Sequence, residues 1–228
     1  MPTIHFDILT LFPGMIEPYL QDSILKRAQE KGLVSVKLHD WRAFANDKHN
    51  RVDDTVYGGG TGMLLKVEPI VAQLGALNVL KHGRKTRVIM MSPDGKKFNH
   101  KQALRLATKY DRIVLIAGRY EGFDSRIEEF VDEKISIGPF VLSGGELPAL
   151  AIVEAVSRQI PGVLGHSEQA VANETFADGA KVGEYPQYTR PDVYVAPDGT
   201  EMKVPDVLLS GDHAKIAAWR EENKKTLR

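Results

Sequence analysis

The chain contains no cysteine, which excludes disulfide bonds, thiolate catalysis and cysteine-ligated zinc. It has no apolar run of about 18 residues, so we expect no transmembrane helix. The first residues lack a basic segment and a small-residue cleavage site, so we expect no signal peptide and a cytoplasmic protein. The seven histidines are scattered without the spacing of metal ligands, and we assign no metal site.

The net charge is zero, because 30 basic residues balance 30 acidic ones. A protein that holds nucleic acid by bulk electrostatics would be strongly basic, so we do not expect DNA as a partner. RNA binding would have to use local patches and shape. The phosphate-binding signature GxGxxG does not follow the first apolar run, and the signature GxxxxGK[ST] does not occur in the sequence.

What the sequence does have is an alternation of short apolar runs and amphipathic segments. Strands are predicted at Ile4–Phe12, Leu33–Leu38, Arg87–Met91, Arg112–Ala117 and Lys134–Ile137. Helices are predicted between them, at Met15–Lys31, Val67–Leu80 and Asn99–Tyr110. This order predicts an α/β fold whose parallel sheet is covered on both faces.

Three of the predicted strands end in polar loops that contain glycine. The loops are SPDG, GRYEG and IGPFVLSGG, which begin at Ser92, Gly118 and Ile137. Because ligands of open parallel sheets bind at the carboxyl ends of the strands, we expect the three loops to share one site. The third loop is the most informative, since glycine turns on both sides of Phe140–Leu142 favour a pocket lined by main chain.

The composition divides the chain into three segments. Residues 1–164 are predicted to form the α/β domain. Residues 165–189 have few large aliphatic side chains and are predicted to be a flexible interdomain linker. Residues 190–228 are predicted to be a small helical domain, in which Asp212 caps the last helix.

Six segments, in this order, carry a resemblance that covers nearly the whole chain: YGGGTGM, GRYEG, SIGPFVLSGGELPA, SRQIPGVLGH, YTRP and VLLSGDH. Together they resemble the bacterial tRNA (guanine-N1)-methyltransferases of the TrmD family. The resemblance implies S-adenosylmethionine-dependent methylation of N1 of guanosine 37, next to the anticodon, so the partner is the anticodon stem-loop of tRNA. It also implies a SPOUT domain with a deep trefoil knot and a homodimer whose active site forms between protomers. The family is associated with Mg2+ dependence, although no Mg2+ ligand cage is recognisable in the sequence.

By this resemblance, the three loops hold S-adenosylmethionine. The implied cosubstrate-binding residues are Pro93, Gly118, Tyr120, Glu121, Gly122, Ile137, Gly138, Pro139, Phe140, Val141, Leu142, Gly144 and Gly145. Apolar side chains would cover the adenine faces, backbone groups would pair with its edge, and Glu121 would meet the ammonium group. Pro139-Phe140 departs from the Asp-Tyr that the family usually has there.

Methylation of N1 of guanine requires a base, because N1 carries a proton at neutral pH, and a cation or donor near O6, where negative charge develops. The resemblance assigns the base to Glu174, where the family has aspartate, with Asp178 as a competing candidate. It assigns O6 stabilisation to Arg158, although Glu154 stands four residues earlier and could form a surface ion pair with it. A further matching acid is Glu184.

The sequence offers two groups of candidate RNA contacts. One is the segment Tyr188–Pro191; the other is the basic set His213, Lys215, Arg220, Lys224, Lys225 and Arg228, which could equally be the solvent face of an amphipathic helix. Two other functions stay open: a related knotted methyltransferase with a different RNA target, and a non-catalytic RNA-binding homologue.

Overall fold

The structure is a computed structural model that describes residues 4–45, 48–81, 83–164 and 184–224. The chain divides into two compact units, Met1–Ser167 and Glu168–Arg228. Most of the predicted linker, and with it Glu174 and Asp178, lies outside the described residues. Among the helices of the described part, none is long and apolar enough to cross a membrane.

The first unit is built on a five-stranded sheet in which every neighbouring pair of strands is parallel. Its strands are β1 (Ile4–Leu9), β2 (Val34–His39), β5 (Thr86–Lys97), β6 (Arg112–Ile116) and β7 (Glu133–Ser136). The order across the sheet is β2-β1-β6-β5-β7. An antiparallel hairpin of β3 (Asp53–Thr55) and β4 (Met63–Leu65) lies apart from this sheet.

Both faces of the sheet are buried, which explains why the central strands are apolar without alternation. On β5, Ile89 and Met91 belong to one hydrophobic core, whereas Val88 and Met90 belong to the other. Successive side chains of a strand point to opposite faces, so each strand supplies both cores. The parallel α/β architecture that the sequence predicts is confirmed.

The helices cover these two faces. They are α1 (Glu17–Leu20), α2 (Ser23–Glu30), α3 (Val67–Ala76), α4 (His100–Lys109) and α5 (Glu146–Ser157), with 3₁₀ turns at Pro13–Met15, Trp41–Phe44 and Ser125–Phe130. Helices α2, α4 and α5 pack on the first core, and α3 packs on the second. The prediction of one helix over Met15–Lys31 was wrong, because Asp22 is extended and its carboxylate caps α2.

Strand β5 runs further than predicted. Its pairing with β7 is interrupted: Met91 and Lys96 both pair with Ile135, so the four residues Ser92–Gly95 bulge out of the ladder. Gly95 lies so close to β7 that a Cβ there would be 2.6 Å from the backbone nitrogen of Ile135. The SPDG loop is therefore held by β5 on both sides.

The described part of the second unit contains strands as well as helices. An antiparallel pair, β8 (Val193–Val195) and β9 (Glu201–Lys203), precedes α6 (Asp206–Leu209) and α7 (His213–Glu222). The hairpin turns at Gly199, whose φ of 85° suits glycine. Asp212 caps α7, as predicted, by accepting hydrogen bonds from the backbone of Ala214 and Lys215 at 3.2 Å.

Candidate active site

A cavity of about 340 Å³ lies at the bulge of β5 and at the carboxyl ends of β6 and β7. Its size falls within the range of roughly 300–1,000 Å³ that is usual for small-molecule sites. The three glycine-bearing loops meet here, as their positions after parallel strands predict. Twelve of the thirteen predicted cosubstrate residues line it: Pro93, Gly118, Tyr120, Glu121, Gly122, Ile137, Gly138, Phe140, Val141, Leu142, Gly144 and Gly145.

The remaining predicted residue, Pro139, is exposed and does not line the cavity. It lies in a tight bend in which the Ser136 hydroxyl donates to the Gly138 carbonyl at 2.9 Å. A Cβ at Gly138 would lie 2.4 Å from the Phe140 ring, so glycine lets that ring fold back over the bend. Phe140 and Val141 are 52% and 80% exposed, which makes this rim of the cavity strongly apolar.

The GRYEG loop forms a second wall and is fixed by the β3–β4 hairpin. Leu65 N–H donates to the Gly122 carbonyl at 2.9 Å, and Glu121 N–H donates to the Met63 carbonyl at 3.1 Å. Tyr120 and Gly122 have φ values of 58° and 109°, so the loop is bent at both residues. The bend brings Glu121 to the cavity and lays its side chain against Gly62 of the YGGGTGM segment.

The second and third loops touch through their glycines. Gly145 N–H donates to the Gly118 carbonyl at 2.8 Å, and Arg119 pairs with Gly144 as an antiparallel bridge. The chain before α5 therefore lies directly on the end of β6. This contact closes the cavity on one side.

A charged cluster that sequence reasoning missed lies at the SPDG end of the cavity. Lys134 Nζ is 2.7 Å from Asp94 Oδ2 and 3.1 Å from Glu128 Oε1. Hydrogen bonds to these carboxylates raise the pKa of Lys134, and the bond to Lys134 lowers the pKa of Asp94. Asp94 stands in a loop that the sequence singles out, but nothing in the sequence pairs it with a lysine 40 residues away.

An ion pair also lies at the wall that the GRYEG loop forms. Arg119 Nη2 lies 3.0 Å from Glu146 Oε2, and the Glu146 side chain is almost fully buried. Arg119 lines the cavity beside the predicted residues, whereas Glu146 begins α5. The sequence pattern assigned a role to neither residue.

Arg158 lies at the other end of α5, which it caps, and does not line the cavity of its own chain. The cavity lining on α5 reaches Pro148, ten residues before Arg158, and a helix rises about 1.5 Å per residue, so the two are roughly 15 Å apart along the helix. Glu154, the alternative partner in the sequence, accepts a hydrogen bond from the Tyr19 hydroxyl. The single chain therefore does not bring Arg158 to the cavity, and its role in catalysis stays a prediction.

Of the other catalytic candidates, Glu174 and Asp178 lie outside the described residues. Glu184 is described, and it accepts a hydrogen bond from Gln187 Nε2 at 2.8 Å. In the part of the chain that the structure describes, no group of three or more His, Asp or Glu side chains is placed to hold a metal ion.

In the second unit, two of the candidate RNA contacts, Tyr188 and Arg220, each lie against an aromatic ring. The rings of Tyr188 and Trp219 lie 6.3 Å apart, and the Arg220 guanidinium lies 4.9 Å from the centroid of Tyr185. Lys215 and Lys224 form ion pairs on α7 or just after it, with Asp212 at 3.1 Å and with Glu221 at 2.7 Å. Of the predicted basic set, Lys225 and Arg228 lie outside the described residues.

Known proteins resemble this chain over almost its whole length. A family model described as tRNA (guanine-1)-methyltransferase TrmD matches residues 4–228. The chain is 52% identical over 228 residues to a Geobacter sp. (strain M21) protein named tRNA (guanine-N(1)-)-methyltransferase, covering 98% of this chain and 87% of the relative.

Relatives of the same name occur in more distant bacteria. One from Lacticaseibacillus paracasei is 47% identical, covering 99% of this chain and 83% of the relative. One from Staphylococcus aureus (strain JH9) is 48% identical, covering 97% and 86%. The chain therefore belongs to the tRNA (guanine-1)-methyltransferase TrmD family.

Proposed function

We propose that this protein methylates N1 of guanosine 37 in tRNA and takes the methyl group from S-adenosylmethionine. The observation that carries the proposal is the meeting of three strand-end loops in one cavity, in a chain of the TrmD family. Twelve residues that the family resemblance associates with the cosubstrate line that cavity, although they come from segments up to 52 residues apart (93 to 145).

The chemistry of the cavity fits an adenosine with a methionine tail. Leu142, Ile137 and Phe140 supply apolar surface for the faces of the base, and the bent loop supplies backbone groups for its edge. Glu121 supplies a carboxylate for an ammonium group. When bound, the sulfonium supplies an electrophilic methyl group, and the protein has to hold it in line with N1 of the guanine.

The remaining tasks belong to residues outside the cavity wall. We assign Glu174 as the base that takes the N1 proton, and Arg158 as the cation that stabilises charge on O6. The target guanine has to leave its stack to reach the methyl group. Because Arg158 lies roughly 15 Å along α5 from the cavity of its own chain, it would serve the cavity of a partner.

A homodimer therefore belongs to the proposal, and the surface of α5 supports it. Leu147 is 60% exposed in the single chain and Ala151 is also exposed, so an apolar stripe runs along a helix whose other faces are buried. Met15 and Tyr19, which are 58% and 50% exposed, widen this surface, and Tyr19 reaches Glu154 on α5. Exposed apolar patches of this kind mark protein interfaces.

The deep trefoil knot of a SPOUT domain is also part of the proposal. It is supported by the passage of the chain from β7 across the end of β6, where Gly145 bonds to Gly118, before α5 begins. The second unit is proposed to hold the anticodon stem-loop, with Tyr188 or Trp219 stacking on an unpaired base and Arg220 placed near phosphate.

The experiment is a methyl-transfer assay with labelled S-adenosylmethionine and unmodified tRNA that carries guanosine 37, followed by mapping of reverse-transcriptase stops. Methylation of N1 blocks Watson–Crick pairing, so we expect a stop at that guanosine. Label incorporation without this stop would indicate another target, and tRNA binding without incorporation would refute the enzyme. Repeating the assay with a chelator tests the Mg2+ dependence that the family implies.

Replacement of the proposed base gives a sharper test within the same assay. Glu174→Gln keeps the shape of the side chain but cannot accept a proton, so we expect loss of turnover of about 10²–10⁴-fold. Cosubstrate binding, measured by isothermal titration calorimetry, should be unchanged. Asp178→Asn is the matched control, and a larger loss in that variant would assign the base to Asp178 instead.

A further inference from the structure

Glu146 is a buried acid that the proposed chemistry does not use. It is the first residue of α5 and only 1% exposed. An ionised carboxylate is costly to bury unless charge and hydrogen bonds compensate it. Here Oε1 accepts hydrogen bonds from the Thr10 hydroxyl at 2.9 Å and from Arg119 Nε at 3.2 Å, and Oε2 lies 3.0 Å from Arg119 Nη2.

Arg119 connects this carboxylate to the surrounding loops. Its Nη1 donates to the Ser143 carbonyl at 3.3 Å, and its Nη2 lies 2.8 Å from the Met15 sulfur. The guanidinium also lies 4.6 Å from the centroid of the Phe12 ring, a cation–π distance. One arginine of the GRYEG loop thus binds the IGPFVLSGG loop, the start of α5 and the segment that follows β1.

This ion pair explains why position 144, two residues before α5, is a glycine. A Cβ at Gly144 would lie 2.3 Å from Arg119 Nε and 2.4 Å from Glu146 Oε2. The two charged groups therefore occupy the space that a side chain would need. The tight packing indicates that the pair sets the distance between the second and third loops.

We propose that Thr10, Arg119 and Glu146 form a clasp that positions two walls of the cavity for the cosubstrate. The proposal rests on the proposed function, since it takes S-adenosylmethionine as the ligand. The three residues are positioning residues. Glu146 and Thr10 are buried and do not line the cavity. The guanidinium group of Arg119 donates its hydrogen bonds to Glu146 and to the Ser143 carbonyl rather than to a ligand.

The test compares substitutions in two largely buried ion pairs at opposite ends of the sheet. Arg119→Lys keeps the positive charge but loses the planar fork that reaches Glu146 and Ser143 together. Glu133→Gln is the matched control, because Glu133 pairs with Arg87 at 2.9 Å and with Arg105 at 2.7 Å and its side chain is only 15% exposed. Each variant is measured by thermal denaturation and by calorimetric titration with S-adenosylmethionine.

We expect both variants to lower the Tm, but only Arg119→Lys to change the Kd for S-adenosylmethionine. The expected increase is about tenfold, which corresponds to the loss of one charge-assisted hydrogen bond. The KM for tRNA should not change. Thr10→Val should act like Arg119→Lys, and Thr10→Ser, which keeps the hydroxyl, should restore the wild-type Kd.

The clasp is refuted if Arg119→Lys and Thr10→Val bind S-adenosylmethionine as tightly as the wild type while their Tm falls. The same holds if Glu133→Gln weakens binding equally, since the effect would then follow from general loss of stability. Wild-type protein that does not bind S-adenosylmethionine at all would overturn the proposed function, and the clasp with it.

Discussion

Gly145→Ala is the substitution whose effect follows most directly from the structure. Gly145 has φ −83° and ψ 0°, a conformation open to alanine, so the backbone itself adds no strain. A Cβ at this position would lie 2.7 Å from Ala117 Cα, 2.9 Å from Gly118 N and 3.1 Å from Ala117 C. Carbon atoms in contact prefer about 3.5–4.0 Å, so the methyl group is roughly 1 Å too close.

Neither side of this contact can easily give way. All the crowded atoms are backbone atoms, and Ala117 is held to β1 by its N–H, which donates to the Leu9 carbonyl at 2.9 Å. On the other side, Gly145 N–H is bonded to the Gly118 carbonyl at 2.8 Å. Overpacking of this kind costs about 1–3 kcal/mol, and a cost at the upper end is expected where backbone meets backbone.

The assay is urea denaturation followed by the fluorescence of Trp41, which is fully buried in the second core. A Trp219→Phe background removes the other tryptophan, so that the signal reports the first unit alone. Gly75→Ala is the control, because Gly75 lies inside α3 and its nearest foreign atom is Leu80 Cδ1 at 3.4 Å. There alanine should stabilise by about 0.5–1 kcal/mol.

If Gly145→Ala unfolds at the same urea concentration as the parent, the reasoning is wrong. It is equally wrong if Gly75→Ala destabilises as strongly, since the two substitutions add the same methyl group. The expected result is opposite signs. In that case, space at the β6–α5 contact is what requires glycine at position 145.

Two further predictions concern charge. Burial raises the pKa of Asp7, but hydrogen bonds with His39 and Arg112 lower it by more, so that the pKa lies below the usual value of an aspartate. The stability that this lowered pKa contributes is present above the unfolded pKa and is lost as the pH falls through the folded pKa. Asp7→Asn should therefore lower the Tm at pH 7, and its Tm should decline less steeply between about pH 5 and 2. A decline as steep as in the parent would contradict the assignment. Asp212→Ala should remove the cap of α7, seen as faster amide exchange at its first turn, and Asp212→Asn should restore the protection.

The strands and the place of the site could be predicted because each is a local property of the sequence. Apolar runs such as Arg112–Ile116 end at glycine, and parallel strands put their ends on one edge. The β3–β4 hairpin gave no such signal, since Asp53–Thr55 is short and polar. Its second strand is held by the GRYEG loop, through the bond from Leu65 to Gly122.

Pairings between residues that are distant in the sequence could not be predicted, because no local property of the sequence encodes them. Glu146 reads in the sequence as an acid in the first turn of a helix, where the helix dipole favours it on the surface. Its burial depends on Thr10, 136 residues away, and on Arg119, 27 residues away. Only the packing of α5 on the end of β6 brings these side chains together.

The bulge in β5 has a consequence for how the cavity can vary among related proteins. Residues of β5 on both sides of Ser92–Gly95 pair with Ile135, so the β5–β7 ladder continues after the bulge in the position that it had before it. Ser92 and Pro93 can therefore be exchanged without shifting the buried side chains of β5 or β7, whereas Asp94 is paired with Lys134 and Gly95 has no room for a side chain beside Ile135. The fold thus separates the part of the cavity floor that is free to adapt from the strands that keep it in place.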